Sequence, residues 1–257
     1  MTLSMTPAEL RCVLGVRVAD YSEREALDFF HACVRQQRFQ PVAFLNANNA
    51  NIAWRDDEAA KAFNDFVVLP DGIGVDLASK LSYGVPFRAN LNGTDFVPTL
   101  LQRASEPLRI GLIGAAPGIA DRAAAGFEAI EGRHDYRVFS HGYFEDADQL
   151  AILDAIQQWQ PDILLVALGV PRQEKWIKNH ITAGHCTVPI AVGALFDFVA
   201  GTVPRAPRWV RAIRCEWIYR LLIEPGRLAK RYLVGNPLFL IRVLRQKLTA
   251  KHAKVTQ

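Results

Sequence analysis

The stretch Ile163-Leu-Leu-Val-Ala-Leu-Gly169-Val-Pro171-Arg-Gln-Glu174 decides the fold of this chain. Its first six residues are all apolar, with no alternation between apolar and polar positions. Continuous apolar runs of this kind are typical of strands that are buried on both faces of a parallel sheet. Gly169 and Pro171 then favour a turn and a helix start, because proline suits the first turn of a helix. The stretch therefore predicts a buried strand that leads directly into a helix.

The same order of strand, loop and helix recurs over the first 200 residues. The predicted strands are Cys12–Val18, Val42–Asn46, Phe66–Leu69, Ile110–Gly114, Tyr136–Ser140, Ile163–Leu168 and Pro189–Val192. One predicted helix begins at Ser22, which has capping-box spacing to Glu25. The others cover about 57–65, 74–83, 94–105, 117–130, 146–159 and 171–182. We therefore expect an α/β fold, a Rossmann-like parallel sheet flanked by helices, whose ligands bind in the loops after the strands.

The C-terminal part of the chain differs from the rest. Residues 205–257 contain thirteen Lys or Arg and two Asp or Glu, although the whole chain has a net charge of only +4. Basic amphipathic helices are predicted at about 208–222 and 227–252, with no strand between them. We place a boundary near residue 200, between an α/β core (1–200) and a basic helical appendage (201–257). This charge distribution indicates a polyanionic partner: lipid headgroups, nucleic acid or a phosphorylated substrate.

Composition argues against several classes of protein. Half of the residues are hydrophobic, which is incompatible with global disorder. The four cysteines are scattered without metal-ligand spacing, and free thiols fit a reducing compartment. We expect no signal peptide, because the first seven residues contain neither a basic n-region nor an apolar h-region. We expect no transmembrane helix, because no run of ~18 apolar residues occurs. Any membrane contact is therefore expected to be peripheral.

Asp71 is the candidate general base. It follows a predicted strand in Pro70-Asp-Gly-Ile-Gly74, which puts a carboxylate at the carboxyl end of the sheet. An aspartate there can take a proton from an attacking sugar hydroxyl. The same residues also fit a plain turn in which the aspartate caps the next helix.

Loops after other predicted strands carry further candidates. Asn46 and Asn48 lie in a group of four asparagines that suits a polyol, although a helix N-cap is an equal alternative. Gly114 lies in a strand–glycine turn–helix pattern, Gly111 to Gly118, whose backbone N–H groups suit a diphosphate. Gln173 stands in a helix start that does not require glutamine. Asp197 fits a helix cap and a ligand contact equally well.

One acidic pair raises the question of a metal ion. Asp146-Ala-Asp148 has the spacing with which some glycosyltransferases hold a divalent ion. The pair stands at a predicted helix start, where acidic residues are favoured in any case. We therefore predict that the two aspartates cap the helix, and we expect no catalytic metal and no cofactor.

Nine short motifs, in order, resemble the WecG/TagA/CpsF glycosyltransferase family. They are Asn46-x-Asn48, Pro70-Asp-Gly-Ile-Gly74, Gly93-Thr-Asp95, Gly169-Val-Pro-Arg-Gln-Glu174, Gly193-Ala-Leu-Phe-Asp-Phe198, Arg205-Ala-Pro207, Glu216-Trp-Ile-Tyr-Arg-Leu221, Glu224-Pro-Gly-Arg227 and Arg231-Tyr232. Each motif is weak by itself. Nine of them in the family's order, over about residues 40–235, are not expected by chance.

This resemblance implies an inverting, metal-independent enzyme that uses a UDP-sugar and extends a sugar carried on a polyprenyl diphosphate. The family's base corresponds to Asp71, and its polar sugar contacts correspond to Asn48 and Gln173. Its C-terminal appendage supplies arginines that close the active site, here Arg220 and Arg227. The family also implies peripheral association with the cytoplasmic face of the bacterial inner membrane.

The remaining motif residues are further expected substrate contacts. Asp95 and Arg205 belong to family motifs, and Arg88 is the arginine nearest to a family arginine position that Asn90 occupies here. Family members also often have threonine in place of Asn46. These departures leave the donor between N-acetylmannosamine types and a plain hexose such as glucose. They favour the plain hexose, in exopolysaccharide synthesis.

Two other functions compete with an enzyme. A non-enzymatic, membrane-recruited nucleotide-binding protein would keep the phosphate loops and the basic appendage but would not need Asp71. Nucleic-acid binding through the appendage is disfavoured, because the acidic core would repel a phosphate backbone and no known nucleic-acid motif occurs. The segment Pro237–Leu244 is strongly apolar beside basic residues, which favours an anionic membrane surface. Whether the protein forms a homo-oligomer is left open.

Overall fold

A six-stranded parallel sheet organises the chain. The computed structural model describes residues 8–207, 210 and 216–255, without the side chains of Arg227 and residues 250–255. The strands are β1 (Glu9–Val13), β2 (Val16–Asp20), β3 (Val42–Leu45), β4 (Val67–Pro70), β5 (Arg109–Gly114), β6 (Asp135–Ser140), β7 (Ile163–Ala167) and β8 (Val188–Ala191). Strands β3 to β8 form the sheet in the order β4-β3-β8-β7-β5-β6. The predicted fold class, a Rossmann-like α/β architecture, is confirmed.

Helices cover both faces of this sheet. Those before residue 200 are α1 (Glu23–Arg35), α2 (Ala47–Ala53), α3 (Asp57–Phe63), α4 (Ile73–Tyr83), α5 (Gly93–Gln102), α6 (Ile119–Ile130), α7 (Asp146–Trp159), α8 (Arg172–His180) and α9 (Leu195–Val199). They are followed by α10 (Glu216–Ile223), α11 (Pro225–Ala229), a π-helix (Lys230–Gly235) and α12 (Asn236–Val255). Within the described residues, none of these helices has the length and apolar composition needed to cross a bilayer.

Strand side chains alternate between two apolar clusters. Val42 and Phe44 of β3 belong to the cluster under α1, α5, α6 and α9. Ala43 and Leu45 belong to the cluster under α2, α4, α7 and α8. All five residues of β7 are buried because helices cover both of its faces. This three-layer arrangement explains why its strands carry unbroken apolar runs.

The predicted strand Cys12–Val18 is instead a hairpin. Strands β1 and β2 pair antiparallel, and Val13 stands opposite Val16. The turn consists of Leu14 and Gly15, which have φ values of 49° and 87°. Two-residue hairpin turns need such positive φ values, which leucine rarely adopts. Leu14 therefore does not indicate a turn in the sequence. The prediction was therefore wrong because the turn residue looks like part of an apolar strand.

The last helix lies against the core. Phe239 and Val243 of α12 are 0% and 1% exposed and belong to the same apolar cluster as Ala47 of α2 and Val75 of α4. Leu14 donates its backbone N–H to Gln246, also on α12, over 3.1 Å. Helix α12 thus extends the helical layer over α2 and α4. The division into a core and an appendage near residue 200 stays a prediction.

Candidate active site

The carboxyl ends of the parallel strands open into one large cavity. Its volume is about 1260 Å³, and the loops after strands β3 to β8 all contribute to its wall. Helix α10, the π-helix and the first residues of α12 form the opposite wall. The cavity is therefore lined by both the sheet and the basic C-terminal segment, as expected for the ligand site of such a sheet.

Asp71 lies in this cavity directly after β4. Its Oδ2 accepts a hydrogen bond from Nδ2 of Asn46 over 3.0 Å. Burial raises the pKa of the carboxyl, and the nearby carboxylate of Glu216 raises it further, whereas Asn46, Arg231 and Arg220 lower it. Because burial has the largest effect, the pKa of Asp71 lies above that of an ordinary aspartate, as suits a base that must accept a proton.

The turn that carries Asp71 is held by Asn90. The Oδ1 of Asn90 accepts a hydrogen bond from the N–H of Gly72 over 2.6 Å. Gly72 has a φ of 88°, a conformation that glycine adopts without strain. Leu91 also donates its N–H to the Pro70 carbonyl over 2.9 Å. Asn90 therefore contributes to the geometry of the base, a role that the sequence alone did not predict.

Asn46 joins three parts of the site. It is the N-cap of α2, since its Oδ1 accepts the N–H of Asn49 over 3.0 Å, and its Nδ2 donates to Asp71. Nη2 of Arg231 approaches the same Oδ1 at 3.5 Å. Asn48 also lines the cavity, in the first turn of the same helix. The capping alternative considered for Asn46 is confirmed, and the cap lies within the cavity wall.

Gln173 and Asp197 line the cavity on the β7 and β8 side. Gln173 is 2% exposed, and its Oε1 accepts the N–H of Gly193 over 3.1 Å. Asp197 lies on α9, and its carbonyl oxygen accepts the N–H of Thr202 over 3.0 Å. Both predicted residues thus lie on the same cavity as Asp71.

Two arginines enter the cavity from the C-terminal segment. The guanidinium of Arg220 lies 5.1 Å from the centre of the Phe198 ring, and its buried Nε has no hydrogen-bond partner among the described residues. Arg231 of the π-helix also lines the cavity. Sequence reasoning placed Arg231 in a motif but not in the site. The π-helical turn determines which side of the helix carries Arg231, and the sequence pattern does not predict that turn.

Arg205 connects the core to α10 instead of lining the cavity. Its Nη2 donates to Oδ1 of Asp95 over 2.9 Å, and its Nη1 donates to the Thr94 carbonyl over 3.1 Å. Its Nε lies 3.4 Å from Oε1 of Glu216. Asp95 itself lines the cavity. Arg205 is therefore arranged to hold α10 against the start of α5.

Besides Arg205, three more predicted residues are not part of the described cavity wall. Gly114 packs against β7, since a Cβ atom added to it would come within 2.4 Å of the Ala167 carbonyl oxygen. The cavity wall is formed by the next residue, Ala115. Arg88 bonds to Asp20 and Glu25. The side chain of Arg227 lies outside the described residues.

The acidic pair of α7 is a helix start. Oδ2 of Asp148 accepts the N–H of Glu145 over 3.3 Å, as the capping interpretation predicted. Among the described residues, no group of three or more His, Cys, Asp or Glu side chains could hold a metal ion. Arg231 and Arg220 are described cations that act on the Asp71 carboxyl.

Known sequences place the chain in a family. A sequence profile described as "Glycosyl transferase WecG/TagA/CpsF family" matches residues 11–253. The chain belongs to this family. The resemblance inferred from the nine motifs is therefore confirmed, and it extends beyond the motifs at both ends.

Three curated relatives carry the same enzyme name. A protein of Bacillus spizizenii is 34% identical over 74% of this chain and 72% of its own length. One of Bacillus subtilis is 30% identical over 90% of this chain and 87% of its own length. One of Staphylococcus aureus is 30% identical over 73% of this chain and 72% of its own length. All three are named N-acetylglucosaminyldiphosphoundecaprenol N-acetyl-beta-D-mannosaminyltransferase.

Membership in the family establishes the enzyme class. The protein is a glycosyltransferase that moves a hexosyl group, as the motifs predicted. The alternative of a non-enzymatic nucleotide-binding protein is not supported. The cavity with Asp71 and the two arginines is the candidate active site of this glycosyltransferase.

Proposed function

We propose that this glycosyltransferase transfers a hexosyl residue from a UDP-sugar to a sugar on a polyprenyl diphosphate, with inversion and without a metal ion. One observation carries the proposal: the half-buried Asp71, whose carboxyl has a raised pKa, shares its cavity with the cationic side chains of Arg220 and Arg231. A base and positive charge side by side are what this transfer requires.

The mechanism is a single displacement. Asp71 takes the proton of the acceptor hydroxyl while the hydroxyl oxygen attacks the anomeric carbon of the donor. The bond between that carbon and the UDP oxygen breaks, and UDP leaves with additional negative charge. Arg220 and Arg231 stabilise this charge where it develops, because their positions are already set before the reaction.

The relatives' name supports the choice of substrates. We propose an acceptor of the N-acetylglucosaminyl-diphosphoundecaprenol class, in the synthesis of a cell-surface glycopolymer. The expectation of a plain hexose donor was based on Asn46 and Asn90, but both amides bond to the loops around Asp71. UDP-N-acetylmannosamine is therefore the first donor to test and UDP-glucose the second.

An apolar stripe supports docking at the cytoplasmic face of the inner membrane. Ile241, Leu244 and Leu248 have helical spacing on α12 and are 47%, 46% and 58% exposed. Leu233, on the cavity wall, is 63% exposed. The basic residues Arg245, Lys247 and Lys230 are exposed along the same segment. Apolar residues flanked by cations suit an interfacial helix on anionic lipid. The cavity then opens where a lipid-linked acceptor would be presented.

A donor panel with a matched variant tests the function. The protein is incubated with several UDP-sugars and a synthetic lipid-diphosphate-linked N-acetylglucosamine, and the product is read by mass. Asp71→Asn keeps the size of the side chain but removes the base, so turnover should be abolished while UDP binding by calorimetry persists. Asn64→Ala, at an exposed residue after α3, serves as the control. Near wild-type turnover of Asp71→Asn would exclude Asp71 as the base.

A further inference from the structure

A second carboxyl group is buried beside the cavity. Glu174 lies in the first turn of α8 and is 1% exposed, and its neighbour Gln173 is 2% exposed. No arginine or lysine pairs with Glu174 among the ion pairs of the described residues. Burial of an acid without a cation costs free energy, so its presence calls for a physical reason.

The bonds of Glu174 lead to the cavity wall through Gln173. Nε2 of Gln173 donates to Oε1 of Glu174 over 2.9 Å. On the other side of the same amide, Oε1 accepts the N–H of Gly193 over 3.1 Å. Glu174, Gln173 and Gly193 thus form one hydrogen-bonded row that joins the first turn of α8 to the loop after β8.

These two bonds determine the orientation of the amide. If the Gln173 amide were rotated by half a turn, its NH₂ group would face the N–H of Gly193, and its oxygen would face the carboxylate of Glu174. Both contacts would then be repulsive. The observed orientation leaves one N–H of Gln173 without a bond to Glu174, on a side chain that lines the cavity.

We propose that Glu174 is a positioning residue, which orients the Gln173 amide so that its second N–H donates to a hydroxyl oxygen of the bound sugar. Through the same amide it holds the Gly193 turn at the cavity wall. This inference rests on the proposed function only for the identity of the ligand, because the hydrogen-bonded row is present in the protein itself.

The environment of Glu174 agrees with this role. Its Oε2 has no hydrogen-bond partner among the described residues, so the acid is held mainly by its bond to Gln173. Burial raises the pKa of Glu174 to about 7, and the bond from Gln173 opposes part of this rise. An ordinary surface glutamate at a helix start would show neither property.

Hydrogen exchange of the Gly193 amide tests the row without any assay of activity. Glu174→Leu removes the acceptor for Gln173, so the amide is no longer held and the protection of Gly193 N–H should fall about tenfold, as for one lost hydrogen bond. Glu174→Gln keeps an acceptor oxygen and should restore most of the protection. The amide of Val192, which bonds to the Val166 carbonyl over 2.9 Å, is the internal reference. Unchanged protection of Gly193 in Glu174→Leu overturns the proposal.

A double-mutant cycle then tests the link to the substrate. In the wild-type background Glu174→Leu should lower kcat/KM about tenfold, and Glu174→Gln should recover most of this loss. In a Gln173→Ala background Glu174→Leu should have no further effect, because the residue acts through Gln173. Equal losses in both backgrounds overturn the proposal. If the wild-type protein transfers no sugar, the proposed function fails, and the Gly193 exchange experiment still decides the role of Glu174.

Discussion

Asn51 holds the C-terminal segment on the core, and its replacement by alanine should open the active site. Its Nδ2 donates to the Gly235 carbonyl over 2.8 Å, and its Oδ1 accepts from Nη1 of Arg242 over 2.7 Å. Asn51 is 8% exposed and lies on α2, which begins at the N-cap Asn46. Arg231 lies one turn before Gly235, so the two bonds of Asn51 hold the segment that carries it.

The magnitude follows from the two lost bonds. A neutral hydrogen bond contributes about 0.5–1.5 kcal/mol, and one to a charged group contributes about 1.5–3 kcal/mol. Asn51→Ala should therefore weaken docking of the segment by about 2–4 kcal/mol. This change lowers the ratio of docked to undocked segment by roughly 30- to 1000-fold.

Two measurements check this prediction. Limited proteolysis should cleave within 216–250 at least about tenfold faster in Asn51→Ala, because cleavage follows the undocked population. The kcat/KM for sugar transfer should fall with it, since Arg231 leaves Asp71. Asn64→Ala again serves as the matched control. Wild-type rates of both cleavage and transfer in Asn51→Ala would refute the reasoning.

Three further predictions concern the cavity and its surroundings. Arg220→Ala should lower kcat about 10²–10³-fold with little effect on folding, because the guanidinium acts on the leaving group, and stopped-flow or mass-based turnover measures this. Arg231→Gln should shift the acid limb of the pH profile of kcat/KM to higher pH. Arg231 lowers the pKa of Asp71, so its loss raises that pKa, and the ionised base then forms only at higher pH. An unmoved limb would mean that the base is another group. Leu244→Asp should weaken binding to anionic vesicles in a flotation assay. Leu150→Asp, at an exposed residue of α7, should not.

The sheet was predictable because its signal is local. In β7, Leu164 and Leu165 face opposite clusters, so every position is apolar and the run is visible in the sequence. Asp71 was predictable for the same reason, since it directly follows a buried strand. The position of a loop at the end of a parallel strand needs no knowledge of distant residues.

The contacts of the C-terminal segment were not predictable in the same way. Asn51 and Gly235 are 184 positions apart, and the sequence around neither residue predicts their hydrogen bond. Arg88 stands near Asn90 in sequence, which predicted a substrate contact, but its guanidinium bonds to Asp20 and Glu25. In each case the partner is decided by how helices dock, which depends on the whole structure.

The π-helix sets how the residues before it are rotated about the helix axis relative to α12. Phe239 and Val243 fix α12 on the core, so residues before Gly235 are positioned by the number of residues per turn in the π-helix. Each residue of an α-helix turns the chain by about 100°. A π-helix takes up one residue more than an α-helix over the same turn. If the six residues Lys230–Gly235 took α-helical geometry instead, the residues before them would be rotated by roughly that angle relative to α12. Arg231 and α10 would then face a different direction while α12 stayed in place, so the wide turn sets the alignment of an entire wall.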